Sequence, residues 1–201
     1  MSAGPGLWII AGPNGVGKTT YAFRHIRTVA GTVRFVNLDE IARGISPLDP
    51  ASGQRQAARI ALSLIDASLA ARESFSLETT LSGRTHLAVL AAASAAGFRI
   101  NLLFFAVADV DICLSRVARR VAEGGHGVAE ADIRRRFQRA LSNFPDYARR
   151  ADLWRIYDNN GPQPRTAIEG RGACVAMRGE GRGLPPALVQ ALSAMPDCPE
   201  G

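Results

Sequence analysis

Gly12-Pro13-Asn14-Gly15-Val16-Gly17-Lys18-Thr19 follows the pattern Gly-x-x-x-x-Gly-Lys-Thr, whose chemistry is the holding of a polyphosphate. The glycines let successive backbone N–H groups turn toward an anion, and a following helix adds the partial positive charge of its N-terminus. Lys18 is the only lysine among 24 lysines and arginines. An ammonium is a compact point charge that reaches in beside β- and γ-phosphates, whereas a guanidinium is a wide planar fork. An Arg-biased composition explains the single lysine equally well, and the loop pattern does not depend on it. The Thr19 hydroxyl is placed to ligate Mg²⁺ carried by the nucleotide. The expected phosphate cradle is Gly12, Pro13, Asn14, Gly15, Val16, Gly17, Lys18, Thr19 and Thr20. No Asn-Lys-x-Asp guanine-reading motif can exist without a second lysine, so ATP is the expected nucleotide.

Two acidic residues are candidates for work beside that loop. Asp39 is expected at the end of a second strand and Glu78 at the end of a third. If both strands flank the first, both carboxylates face the phosphates. One can accept the proton of an attacking hydroxyl, and the other can orient that acceptor. Asp39 is the candidate base, with Asp39, Glu78 and Thr79 as candidate acceptor-binding residues. The competing structural readings are an N-cap at Asp39, a surface strand end at Glu78, and a metal-orienting role for Asp39.

A third group is basic. Arg116, Arg119 and Arg120 precede Gly124-Gly125-His126-Gly127, and Arg134, Arg135, Arg136 and Arg139 follow it. Helix, glycine turn and helix make a lid hairpin able to bring guanidinium groups onto a transferring phosphoryl group. A solvated face paired with Glu123, Glu130 and Asp132 is the bland alternative, and Asp132 with Arg136 is an expected i,i+4 pair. His126, between glycines, reads as a hinge rather than a catalytic group.

These residues need a frame. Leu7 to Ala11 is a short apolar run before the loop, and Thr20 to Arg27 reads as an amphipathic helix after it. Arg34–Asp39 reads as strand two, Gln54–Arg72 as a helix, Phe75–Thr79 as strand three and Thr85–Ala96 as a helix. Ile100–Val107 is the expected central strand, followed by helices over Asp109–Glu123 and Glu130–Arg149 and a fifth strand over Leu153–Tyr157. This order predicts an α/β fold with a parallel sheet wrapped by helices, as one domain over 1–201. Residues 162–201 are expected to add an edge strand at Ala173–Met177, a short helix at Pro186–Leu192 and a loose tail.

Composition narrows the classes. The chain has 201 residues, 47% hydrophobic and 21% charged, which fits an ordinary folded domain. A net charge of +6 suits polyphosphate or nucleic acid. Cys113, Cys174 and Cys198 form no Cys-x-x-Cys pair, and the simplest expectation is reduced structural thiols in the cytoplasm. No signal segment or membrane span is apparent, and no metal-binding Cys/His cluster.

Five segments together resemble the zeta-toxin-like kinase family: Ala11–Thr20, Asn37–Ala42, Leu77–Gly83, the stretch from Arg116 through Gly124-Gly125-His126 to Phe137, and Ala151–Asn159. The resemblance spans roughly residues 7–160 with the motifs in order. It implies a P-loop kinase fold like that of nucleoside-monophosphate kinases, and ATP-dependent phosphorylation of a hydroxyl on a UDP-N-acetylamino sugar. It implies Lys18 on the phosphates, Asp39 as base, Glu78 holding substrate, and lid arginines on the γ-phosphate, for which Arg120 and Arg136 match by position. It also implies a possible antitoxin partner. The alternatives are a polynucleotide 5′-hydroxyl kinase, for which aromatics at 6% are sparse, and a non-catalytic nucleotide switch. Nucleic acid and membrane are not expected partners.

Overall fold

The computed structural model describes residues 4–125, 127–179 and 183–199. One seven-stranded sheet runs in the order β2-β3-β1-β4-β5-β6-β7. Its strands are β1 Gly6–Ala11, β2 Phe35–Val36, β3 Phe75–Thr79, β4 Arg99–Ala106, β5 Leu153–Asp158, β6 Arg165–Arg171 and β7 Cys174–Arg178. The first five are parallel, and β6 and β7 join antiparallel. The helices are α1 Lys18–Tyr21, α2 Arg27–Ala30, α3 Leu38–Ile45, α4 Gln54–Ala71, α5 His86–Ala95, α6 Val110–Ala122, α7 Glu130–Ala148 and α8 Pro186–Ser193. This is the α/β, helix-wrapped and mostly parallel fold that the alternating pattern predicts.

The core explains the layering. β4 is buried at every position after Arg99, as a strand covered on both faces must be. Phe104 and Phe105 are neighbours in it and point to opposite faces. On one face Phe104 meets Phe144 of α7 at 4.9 Å between ring centroids, and Phe144 meets Trp154 edge-on at 5.5 Å. On the other, Phe105 stacks on Tyr157 and meets Tyr21 of α1 at 4.8 Å. The helix after the phosphate loop and the second arm of the lid hairpin therefore clamp one strand from its two sides. Truncating Phe144 to alanine would cost about 3–5 kcal/mol.

Several boundaries differ from expectation. Strand two is only Phe35–Val36, because the Asn37 side chain accepts from the N–H groups of Asp39 and Glu40 and starts α3 there. Asp39 thus lies in the first turn of a helix, and the N-cap is Asn37. β3 alone separates β2 from β1, so strand two does not flank the phosphate-loop strand. The helix following the loop passes through a π-helical turn at Ala22–Ile26. β6 was not expected. Its segment mixes Arg, Thr, Glu and Gly with few apolar residues, as suits a strand near a sheet edge.

The thiol expectation holds for Cys113 alone, which is buried and free. Cys174 and Cys198 form a disulfide. The fold brings the two together, because Val175 pairs with Asp197 and its N–H donates to Pro196 O at 2.8 Å. Asp197 and Cys198 are thereby tied to β7 and not loose, and residues 200 and 201 of the expected loose tail lie outside the described residues. His126 lies outside the described residues. The flanking hairpin is described: α6 ends with Gly124 at φ 84°, and the Gly125 N–H returns to Arg120 O at 2.8 Å. That is a left-handed helix stop that glycine supplies without a Cβ clash.

Candidate active site

A cleft of about 1380 Å³ opens beyond the carboxyl ends of β1, β3 and β5. Open parallel sheets bind ligands at this end.

The phosphate loop crosses its floor. Gly17 has φ 99° and caps α1, and a Cβ there would come within 2.5 Å of Asn159 Nδ2. Asn159 in turn donates to Val16 O at 2.6 Å, so the end of β5 holds the loop in shape. Lys18 is buried and its Nζ donates to Pro13 O at 2.8 Å, folding the side chain back across its own loop.

Glu78 closes a network over that lysine. Thr19 donates its hydroxyl to Glu78 Oε1 at 2.9 Å, and Asn37 Nδ2 donates to Glu78 Oε2 at 2.8 Å. Lys18 Nζ stands 3.9 Å from Glu78 Oε1. Burial pulls the Lys18 ammonium below the usual lysine range, opposed by the charges of Glu78 and Asp39. Burial also pushes Glu78 above the usual carboxylate range, opposed by Lys18 and the Thr19 hydroxyl. Each charge is desolvated, and each partly offsets the other's penalty.

Asp39 lines the same cleft and is exposed. Its charge reaches both Lys18 and Glu78. Thr79 follows Glu78 on the cleft wall, and its Oγ1 accepts from the Leu81 N–H at 3.2 Å. Thr20 is exposed at the rim.

The arginines divide. Arg119 pairs with Glu123, Arg134 with Glu130 and Asp111, and Arg135 with Asp132 at 2.7 Å. These form the solvated face of the hairpin, and Asp132 takes Arg135 rather than Arg136. Arg116 donates to the carbonyls of Asn159 and Asn160 at 2.9 and 3.2 Å, which commits it to the β5 terminus. Arg136 reaches the phosphate loop, with NH1 3.4 Å from Asn14 Oδ1. Arg120 lines the cleft, and its charge lowers the Lys18 pKa. Arg120 and Arg136, the two arginines singled out by position, both line the cleft, as do Arg116 and Arg119.

Among the described residues no group of three or more His, Cys, Asp or Glu could hold a metal. The Thr19 hydroxyl with the nearby Glu78 and Asp39 carboxylates offers a few oxygen donors. That set fits Mg²⁺, which keeps most of its shell as phosphate and water oxygens.

Three contributors, Asn37, Asn159 and His86, and the β5 contact of Arg116 escaped the sequence reading. Asn37 both caps α3 and holds Glu78; the signal was Asn followed three residues on by Glu40, a capping pattern. Asn159 and Arg116 act across more than forty residues of chain, which no local spacing reveals. His86 lines the cleft 3.3 Å from Thr79 Oγ1; nothing in its neighbours marks it.

An AAA domain family model matches residues 7–145, and the chain belongs to that family. An uncharacterized protein of Haemophilus influenzae is 30% identical over 138 residues, covering 65% of this chain and 96% of that one. Among solved structures, a chain of the AvrRxo1-ORF1:AvrRxo1-ORF2 complex with sulphate ions superposes with TM-score 0.71 at 15% identity, over 96% of this chain. This chain spans only 64% of that one. A chain of the PezAT chromosomal toxin–antitoxin system of Streptococcus pneumoniae superposes with TM-score 0.67 at 13% identity, over 100% of this chain and 80% of that one. A putative kinase from Chloroflexus aurantiacus gives 0.53 at 19% identity, over 68% and 80%. At such identities the likeness is one of fold, that of P-loop kinases.

Proposed function

We propose that this AAA-domain protein is an ATP-dependent small-molecule kinase of zeta-toxin type, which moves the γ-phosphoryl group of ATP to a hydroxyl of a UDP-N-acetylamino sugar. The observation that carries the reading is the Lys18–Thr19–Glu78–Asn37 network, with Asp39 on the same cleft wall. The carboxylates beside the phosphate-loop lysine supply a proton acceptor next to the phosphate cradle, as transfer to a hydroxyl requires. The toxin–antitoxin origin of a structure with this fold supports an inhibitory antitoxin as partner.

The backbone of Gly12–Thr19 binds the triphosphate, and Lys18 turns from Pro13 O toward the β- and γ-oxygens. Thr19 would hold Mg²⁺, which would supply charge neutralisation at the phosphates. Glu78 orients the acceptor. The Asp39 carboxylate takes the proton of the acceptor hydroxyl as its oxygen bonds to the γ-phosphorus. The bond from that phosphorus to the β–γ bridging oxygen breaks, and ADP leaves. Arg120 and Arg136 spread charge from the equatorial oxygens.

Incubation with γ-labelled ATP and a panel of UDP-N-acetylglucosamine, nucleosides and 5′-hydroxyl RNA tests this. Label is expected on the sugar nucleotide. Label on RNA ends would instead support a polynucleotide kinase, and a cleft that binds ATP yet labels none of them would refute transfer to these acceptors.

A further inference from the structure

His86 lines the cleft and has no place in that mechanism. His86 opens α5 and is half-buried on the cleft wall, beside the strand end that carries Glu78 and Thr79. Its Nδ1 is 3.3 Å from Thr79 Oγ1. Thr79 Oγ1 already accepts the Leu81 N–H at 3.2 Å. A hydroxyl that accepts on one side has its own proton free for the other. The Leu81 N–H donates to Thr79 Oγ1. The roles at the Thr79–His86 contact follow the ring tautomer, and in the arrangement where the Thr79 O–H donates to Nδ1 the ring proton resides on Nε2.

The surroundings keep the ring neutral: burial holds the His86 pKa below the ordinary histidine value. The positive end of α5 further disfavours an imidazolium at this position. The loop around it is fixed: Leu81 is buried with φ 58°, Asn143 donates to Leu81 O at 2.9 Å, and Tyr147 donates to Gly83 O at 2.8 Å. Thr80 and Ser82 bond to one another at 2.8 Å. A threonine and a histidine held this firmly on a cleft wall are a built donor.

We propose that His86 is a specificity-determining residue of the acceptor subsite, whose Nε2–H donates to an uncharged or anionic oxygen of the acceptor, with Thr79 as the residue that fixes its tautomer. It rests on the kinase reading and adds a named contact to it. The acceptor thus carries, besides its reacting hydroxyl, a carbonyl, hydroxyl or phosphate oxygen that meets His86. Thr79 acts through the imidazole, so it is a positioning residue here.

Two measurements test it. Long-range ¹H–¹⁵N correlation of the histidine rings in the purified protein at pH 7.5 reads the tautomer without any substrate. The Nε2–H form is expected in the wild type and in Thr79→Ser, and a mixture in Thr79→Val. An Nδ1–H form or an imidazolium in the wild type overturns the proposal outright.

Initial rates with ATP and whichever acceptor of the panel the wild type phosphorylates then read the contact. His86→Leu is expected to raise the acceptor KM about tenfold or more, His86→Gln, which keeps a donor near the Nε2 position, to recover most of that, and Thr79→Val to raise it while Thr79→Ser does not. ATP affinity is expected to stay unchanged throughout. An acceptor KM within twofold of wild type in His86→Leu, or a parallel loss of ATP affinity, overturns the proposal and leaves the kinase reading standing. A wild type that binds ATP and phosphorylates none of the panel defeats the kinase reading. The proposal falls with it, whatever the tautomer, because there is then no acceptor for His86 to meet.

Discussion

Glu78 Oε1 receives the hydroxyl proton of Thr19 at 2.9 Å while standing 3.9 Å from Lys18 Nζ. A strand carboxylate, the phosphate-loop lysine and the proposed metal-binding hydroxyl thus form one unit. Lys18→Ala would leave Glu78 buried without its cation. Transfer should become undetectable, and stability should fall by on the order of 3 kcal/mol. Adding Glu78→Gln should restore most of the stability and none of the transfer. Urea unfolding of the single and double variants reads the first, and label transfer the second. Undiminished transfer by Lys18→Ala would refute the loop assignment.

Asp39 sits in the first turn of α3 and lines the cleft. Asp39→Asn should preserve ATP affinity and fold while slowing transfer by about 10²–10⁴. Titration calorimetry with a non-hydrolysable ATP analogue, beside single-turnover rates, separates the two. Lost ATP affinity would move Asp39 from base to metal-orienting group, and a near-normal rate would remove it from the chemistry.

Asn37 serves two neighbours with one side chain. Its Oδ1 caps α3, and its Nδ2 holds Glu78. Asn37→Asp keeps an acceptor for the cap but sets a carboxylate against Glu78. It should keep the cap yet lose stability through repulsion at buried Glu78, and transfer should drop at least tenfold. Asn37→Ala should lose transfer and about 1 kcal/mol of stability together. Comparable rates for wild type and Asn37→Asp would show that the Glu78 contact is idle.

The cysteines give a prediction independent of catalysis. Cys113 is buried, and burial lifts its thiol pKa to about 11. The folded oxidised protein should therefore take up no thiol reagent at pH 8. Mild reduction should expose two reactive thiols, Cys174 and Cys198, and the third should react only in denaturant. Mass spectrometry after iodoacetamide counts them. A fast-reacting thiol before reduction would contradict the Cys174–Cys198 pairing.

Histidine 86 predicts a stability profile. In the unfolded chain it titrates near 6.5, the ordinary histidine value, and burial holds the folded value lower. Below pH 6.5 the unfolded chain binds more protons than the folded one, so folding stability falls as the pH falls. The contribution is whole above pH 6.5, and its loss is complete once the pH passes below the folded pKa. His86→Gln should flatten this window in urea unfolding between pH 7.5 and 5.5; parallel curves for the two proteins would assign the slope to other groups.

Much of the frame was readable because its signals are local. The bounds of α4 and β3 match the expected spans within a residue or two, since each has its own periodicity and its own stop. The phosphate loop declared itself through eight consecutive residues. Asp39 was misplaced from strand to helix because a polar side chain, Asn37, ended the strand early, and a cap competes with strand propensity without changing the apolar pattern. β6 stayed hidden because an antiparallel strand near an edge needs few apolar residues. The links from Arg116 to Asn159 and from Asn159 to Val16 were out of reach, since they depend on strand order rather than on spacing.

Helix α7 touches both ends of the proposed reaction. Arg136 near its start meets Asn14, and Asn143 and Tyr147, about 10–16 Å farther along the axis, fasten Leu81 and Gly83. Phe144 between them is locked against Phe104 and Trp154. A single rod, seated in the core through Phe144, thus holds the phosphate loop and the turn after β3 in one rigid frame.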